Sequence, residues 1–406
     1  MKKIDGGVTA AMGFQAAGVY AGIKKKRKDM ALVYSVVPAK GAGTFTTNVV
    51  KAAPVRWDMK VTKESPYVQA VVLNSGVANA CTGVEGDVNN ELMAKAVANV
   101  MKIPENAVYT ASTGVIGKQL PIHVIIEGVK LLAEDLKEGI PAGSLAAEAI
   151  MTTDTYSKEC AVSFTVDGKE VKLGGMAKGS GMIHPNMATM LGVVTTDLNI
   201  SKELLQEALS ADVKVTFNMI SVDRDTSTND SLLLLANGLA GNQEITEKNE
   251  DYEAFCKALN YVTTDLSKKM AADGEGATKL FEVEVIGAPS WEEASIISKS
   301  IITSNLVKTA VFGNDANWGR ILCAMGYSGV NFDPDKVDLL IESVDGTLKL
   351  VENGMATDYS EELATKILSG KEVKAIADLK SGQATATAWG CDFSYDYVKI
   401  NADYRS

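Results

Sequence analysis

Histidine is scarce in this chain: of 406 residues, only His123 and His184 carry an imidazole. Two cannot build a histidine-rich zinc site, and a Ser-His-Asp triad would have to use one of them. His123 falls in the amphipathic stretch Pro121 to Leu132 and reads as a structural or surface residue, whereas His184, five residues ahead of Thr189, is a candidate for positioning its loop. Cysteine is sparse as well. Cys81, Cys160, Cys256, Cys323 and Cys391 are scattered, odd in number and without metal-ligand spacing, which suits reduced thiols in a cytoplasm. No apolar run approaches a membrane span. The charged start Met1-Lys2-Lys3 lacks the apolar core of a signal peptide behind it. Positive charge is in deficit, with 40 Lys and Arg against 51 Asp and Glu, so a nucleic-acid surface or an anionic-membrane surface is not expected. The one basic run, Lys24 to Lys28, reads as a solvated turn between apolar segments.

Nucleotide motifs are missing too. Gly114 and Gly117-Lys118 suggest a phosphate loop, but the spacing is two residues short and Gln119 stands where Ser or Thr is required. Gly274-Glu275-Gly276 lacks the third glycine of a dinucleotide fingerprint. No metal-ligand, dinucleotide or phosphate-loop signal is present in the sequence. What the chain has is an ordinary globular composition, 46% hydrophobic and 22% charged, and a length that suggests two or three domains.

Residues 6 to 80 read as strands and turns, with Met30 to Val37 and Val68 to Asn74 the clearest strands. Apolar Leu92, Met93, Ala96, Val97 and Val100 predict a helix from Asp87 to Pro104, followed by a short strand, Ala107 to Thr110. Helical patterns cover Ile122 to Lys137, Ser144 to Met151, Ser201 to Ala211 and 247 to 272; Glu170 to Leu173 and the apolar Ser231 to Ala236 read as strands. After a change near Pro289, the pattern predicts a helix over Trp291 to Ile302, a strand over Val307 to Phe312 and a helix over Asn317 to Met325. That order echoes residues 88 to 117 and hints at an internal duplication. A hairpin over 338 to 352, a helix over 360 to 369 and strands over 373 to 406 complete the reading, with a polar tail after Asp396.

The chain is organised around Lys178 to Asp197, where a Gly/Pro/Asn loop gives way to a β-branched strand, Met190 to Thr196. Ala188 and Thr189 sit at the join. A threonine hydroxyl needs a base beside it. Cleavage of the Ala188–Thr189 bond would supply one, because the freed α-amine has a reference pKa of roughly 7.7–8.0. The hydroxyl can make that cut itself, by attacking the Ala188 carbonyl, shifting the acyl group from nitrogen to oxygen and leaving an ester for water. An ordinary loop-to-strand junction is the plain alternative, since Thr is common in strands. In the same spirit, the loop Ser112 to Gly117 allows an oxyanion hole, because a glycine lets a backbone N–H approach closely and a Thr hydroxyl can join it; on the residues alone a plain strand-to-helix turn is the favoured reading.

Asn186-Met187-Ala188-Thr189-Met190-Leu191, with Lys178-Gly179-Ser180-Gly181-Met182 ahead of it, resembles the self-cleavage site of the ornithine acetyltransferase family, bifunctional glutamate N-acetyltransferases of arginine biosynthesis. Further blocks agree in the same order. They are Gly7-Val8-Thr9-Ala10-Ala11, Thr44-Phe45-Thr46-Thr47-Asn48, Asn79-Ala80-Cys81-Thr82-Gly83, Ser112 to Gly117, Asp273 to Lys279, Gly313 to Arg320 and Asn401-Ala402-Asp403-Tyr404. The resemblance implies an α/β fold, a layered α/β/β/α sandwich of the N-terminal-nucleophile type, with a smaller C-terminal α/β part from about residue 289. It implies an α fragment, 1–188, and a β fragment, 189–406, assembling two of each in the cytoplasm. It makes Thr189 the nucleophile, Thr113 and Gly114 the oxyanion hole, and Thr152, Lys178, Thr189, Glu275, Asn401 and Ser406 substrate ligands. Ser406 is the looser match, because the family often has Thr there. Donor and acceptor would be N-acetylornithine and glutamate, without cofactor; use of acetyl-coenzyme A as donor depends on pocket shape. Two other readings share the fold: an N-terminal-nucleophile aminopeptidase or amidohydrolase, which passes the acyl group to water, and a non-catalytic binding protein.

Overall fold

Alternating and continuous apolar runs divide the chain between two sheets. The structure, a computed structural model, describes residues 1–184 and 190–403; Ala188, Thr189 and Ser406 lie outside the described residues. The chain forms two compact units. The first holds Met1–Gly179, the described part of 185–218, and Thr226–Leu266; the second holds Ser180–His184, Met219–Asp225 and the described part of 267–406.

In the first unit, among the described residues, nine strands make one sheet. From one edge they run Lys2–Ile4, Lys158–Val166, Lys169–Lys178, Leu191–Thr196, Ser231–Ala236, Met30–Phe45, Val68–Val77 and Val108–Val115, with Phe14–Val19 also paired to Met30–Phe45. Leu191–Thr196 lies antiparallel to Lys169–Lys178 and parallel to Ser231–Ala236, which in turn lies antiparallel to Met30–Phe45. Both middle strands are buried along their whole length, as their unbroken apolar sequences require. Helices Ala53–Glu64, Gly83–Met101, Ile122–Asp135, Ile140–Ala149 and Lys202–Val215 pack against this sheet. Apolar clusters form the core, among them one around Phe14, Val71 and Tyr109, another around Met30, Met93 and Ile125, and a small one around Val55 and Ala78.

A buried acid ties Lys202–Val215 to the first part of Glu250–Ala272. Asp212 accepts from Asn260 Nδ2 at 2.9 Å and from the Thr216 hydroxyl at 3.4 Å. Burial pushes its carboxyl up to about 6, opposed by hydrogen bonds from Thr263, Asn260 and Thr216. A raised folded pKa means that this group's stability contribution is full below its unfolded pKa and is lost as pH rises through about 6. Asp212→Asn is therefore expected to raise the melting temperature at pH 8 by roughly 2–5 °C, and the gain should vanish at pH 4. Calorimetric scans at the two pH values check it; an equal change at both would show that ionisation is not the cause.

The second unit is built on a seven-stranded sheet among the described residues, in the order Met355–Ala356, Gly346–Glu352, Asp338–Ser343, Glu372–Asp378, Leu280–Ala288, Ala384–Cys391 and Ile220–Ser221. Trp291–Ile302 packs on Leu280–Ala288 and Ala384–Cys391; Glu361–Leu368 packs on Asp338–Ser343 and Gly346–Glu352.

The mixed α/β class agrees with expectation, but several segments differ. Ala53–Glu64 is a helix inside a region read as strands and turns, because a proline at the helix start costs no hydrogen bond. Lys158–Val166 is a strand that the pattern had not suggested. Residues 305–312 are a helix, Asn305–Phe312, not a strand: the Ser304 hydroxyl caps it by accepting from Val307 N, and Val307, Ala310 and Val311 are buried at helical spacing. The internal duplication hinted at therefore fails, since the later block has no strand in the corresponding place. The polar tail also contains a helix, Tyr395–Ala402, capped by Ser394. No helix among the described residues is long and apolar enough to cross a membrane.

Candidate active site

Thr113 and Gly114 lie near the end of Val108–Val115, not in a turn after it. Gly114 pairs with Gly76 of the parallel neighbour, and the two glycines have φ of 131° and 110°. A Cβ on Gly114 would stand 2.6 Å from Gly76 O and Val77 N, so only glycine fits this close approach of two backbones. The segment is also held from the side: Asn229 Nδ2 donates to Ser112 O at 2.8 Å, and Ser112 Oγ donates to Asn74 Oδ1 at 2.6 Å.

Lys178, at the end of Lys169–Lys178, is buried and donates from Nζ to the Thr113 hydroxyl oxygen at 3.3 Å. The structure thus brings together two sequence-predicted residues 65 positions apart. A hydroxyl that accepts from an ammonium becomes a better donor of its own proton.

Thr152, another predicted ligand, sits just past Ile140–Ala149. Its backbone N–H donates to Asp154 Oδ2 at 2.9 Å. The other oxygen, Oδ1, accepts from Lys158 Nζ and from Gly179 N, both at 2.7 Å. Asp154 and Lys158 are fully buried side chains. Burial alone would raise the Asp154 carboxyl, but Lys178, Lys158 and these hydrogen bonds outweigh it and hold it below the usual carboxylate range.

Lys24 departs from expectation. It is no solvated turn lysine: its Nζ donates to Met151 O at 2.6 Å and to Lys28 O at 3.0 Å. Burial lowers its pKa to about 8; Asp29 opposes this, and Lys178 adds to it. Lys24, Asp154 and Lys158 are the residues that sequence reasoning missed. Their signal was thin, a lysine inside a basic run and an aspartate inside Thr152-Thr153-Asp154-Thr155.

In the second unit, Glu275 is buried on its glycine turn. Its N–H donates to Ser180 O at 2.8 Å, and its Oε2 accepts from Asn401 Nδ2 at 2.7 Å. This brings together two further predicted residues. A Cβ on Gly181 would fall inside the Glu275 carboxyl group, so the Gly181 backbone lies directly against it. Met182 N and Ile183 N donate to Asp223 at 2.6 and 2.8 Å, and Tyr397 Oη donates to the same carboxylate at 3.3 Å. His184 Nδ1 pairs with Ser221 Oγ at 3.0 Å. Burial, with Lys299 and Arg224, lowers its pKa to about 4, so the ring is neutral at pH 7 and helps hold its loop. His123 is exposed on its helix. Among the described residues, no group of three or more His, Cys, Asp or Glu is placed to hold a metal ion.

The sequence profile of the ArgJ family matches residues 15–406. The chain belongs to the ArgJ family. An arginine biosynthesis bifunctional protein ArgJ from Caldanaerobacter subterraneus subsp. tengcongensis is 52% identical over the whole of both chains. The ArgJ protein of Thermotoga neapolitana is 50% identical over 97% of this chain and 99% of its own. Among solved structures, the bifunctional protein argJ of Bacillus halodurans is 49% identical, covering 52% of this ArgJ chain and 97% of that one, with a TM-score of 0.50. The resemblance carried by the central loop and its flanking blocks is thus a family membership along the chain's length.

Proposed function

We propose that this ArgJ protein is a self-cleaving acyltransferase that moves an acetyl group from N-acetylornithine to glutamate through an acetyl ester on Thr189. The observation that carries the reading is the Lys178–Thr113 contact beside Gly114, a polarised hydroxyl next to a backbone that admits only glycine. Family membership, with relatives named for arginine biosynthesis, supports acetyl transfer in that pathway.

Cleavage before Thr189 separates an α fragment, 1–188, from a β fragment, 189–406, and two of each assemble. The Thr189 hydroxyl then attacks the acetyl carbonyl of the donor, passing its proton to the new α-amine. The tetrahedral oxyanion is met by the Thr113 hydroxyl and the Gly114 N–H. The carbon–nitrogen bond breaks, the α-ammonium returns a proton to the leaving nitrogen, and ornithine departs. Glutamate attacks the ester with its α-amine, giving acetylglutamate and the free hydroxyl. Thr152 and Lys178 bind the α-carboxylate that donor and acceptor share; Glu275 binds the ornithine ammonium, with Asn401 and Ser406 completing the ligands. Acetyl-coenzyme A as a second donor belongs to the same reading, as does a cytoplasmic location.

Incubation with N-acetylornithine and glutamate tests the reaction. Acetylglutamate should accumulate, and omitting glutamate should trap an acetyl group on the fragment that begins at Thr189. Acetate released at the same rate with or without glutamate would indicate a hydrolase instead. Within this cycle Glu275→Gln should weaken the ornithine half-reaction about tenfold to a hundredfold, the usual worth of a charged hydrogen bond. The glutamate half-reaction should change far less. Single-turnover rates of acetylation and deacetylation check this, and equal losses would remove Glu275 from the ammonium site.

A further inference from the structure

We propose that Lys24 and Asp154 are positioning residues that clamp the peptide group between Met151 and Thr152 from its two ends, and that Asp154 also anchors the peptide after Lys178 by its N–H. The inference rests on the proposed role of Thr152 and Lys178 as amino-acid ligands.

One peptide group carries both contacts. Lys24 Nζ donates to its carbonyl, Met151 O, at 2.6 Å, and its N–H, on Thr152, donates to Asp154 Oδ2 at 2.9 Å. A peptide held at both its acceptor and its donor cannot rotate, so the direction in which Thr152 leaves the backbone is set. The remaining oxygen of Asp154 accepts from Gly179 N, the N–H of the peptide that follows Lys178, at 2.7 Å. A single carboxylate therefore fixes the backbone at two ligands that are 26 positions apart in the chain.

Each arm of the clamp has its own support. Asp29, completely buried, organises the loop that delivers Lys24: its carboxylate accepts from Ala21 N at 2.7 Å, Gly22 N at 3.1 Å and Lys24 N at 2.9 Å. Lys158 neutralises Asp154 from 2.7 Å. A fully buried ion pair is a poor stabilising device, because desolvating both charges offsets most of their attraction. Its placement between two ligand-bearing peptides gives it a use that packing alone does not.

Three variants test the clamp: Lys24→Met, Asp154→Asn and the double variant. KM for N-acetylornithine and for glutamate should rise about tenfold or more in each single variant. In Lys24→Met, which releases only the Thr152 ligand, kcat should change less than about threefold; in Asp154→Asn it should fall further, because that variant also frees the Lys178 that polarises the Thr113 hydroxyl. The double variant should resemble Asp154→Asn alone, since both singles release the same peptide. A structural role would lower the melting temperature and the active fraction, hence apparent kcat, and leave KM unchanged. Unchanged KM values in folded variants, or effects that multiply in the double variant, overturn the clamp. Ornithine affinity by calorimetry separates this from the reaction itself. A wild type that binds ornithine but makes no acetylglutamate overturns the transfer reaction, and the variants' ornithine affinities still judge the clamp. A wild type that binds neither amino acid overturns both.

Discussion

Thr189→Ala is expected to leave a single polypeptide where the wild type is expected to yield two fragments, and to reduce acetylglutamate formation by roughly three orders of magnitude or more. The same hydroxyl is assigned both tasks, so both should fail together. Losing a nucleophile removes the covalent route entirely, and whatever remains comes from binding and oxyanion stabilisation alone. A denaturing gel and intact mass follow the first effect, and acetylglutamate production the second. A variant that stays uncut and still transfers acetyl groups would exclude Thr189 as nucleophile. One that is still cut would place the self-cleaving group elsewhere.

Gly114→Ala should have the second largest effect, a fall in kcat of about 10²–10³, the usual cost of losing one oxyanion donor. Here the physical cause is the crowding of two strands. The methyl group would stand 2.6 Å from Gly76 O and Val77 N, and an alanine at φ of 131° is strained besides. The chain must shift, and the Gly114 N–H turns away from the proposed oxyanion position. Melting temperature and ornithine affinity serve as controls, because a folded variant with intact binding and lost turnover isolates the proposed oxyanion contact. Wild-type turnover in the variant would return this glycine to a purely structural role.

Much of the fold was legible where periodicity was strong. Ser231–Ala236 is four Leu and an Ala after a single Ser, set between Asn229-Asp230 and Asn237-Gly238, and it is a strand over the same residues. Helix Ala53–Glu64 was illegible because it opens on Ala-Pro-Val with no capping side chain, so the proline read as a break. Asn305–Phe312 was misread because Val307, Thr309 and Val311 alternate as a strand would, whereas the deciding signal was the Ser304 cap. Thr113, Gly114, Lys178, Glu275 and Asn401 were named as candidates through the resemblance, with local chemistry behind all but Asn401. The pairings Lys178 with Thr113 and Asn401 with Glu275 are products of tertiary structure, over 65 and 126 positions. Lys24 was hidden for a different reason. In a run of lysines and an arginine, composition cannot say which one turns inward, and only the Asp29 carboxylate decides it.

The order of strands in the first sheet bears on what a break before Thr189 would do. Leu191–Thr196 and Ser231–Ala236 lie downstream of the break, yet each flank of this pair is a strand from upstream, Lys169–Lys178 on one side and Met30–Phe45 on the other. The two products are therefore interleaved through a common set of backbone hydrogen bonds, and neither can be drawn away without tearing out the middle of the sheet. Scission would be silent in solution, giving one particle changed only by the water that hydrolysis adds until a denaturant separates its pieces.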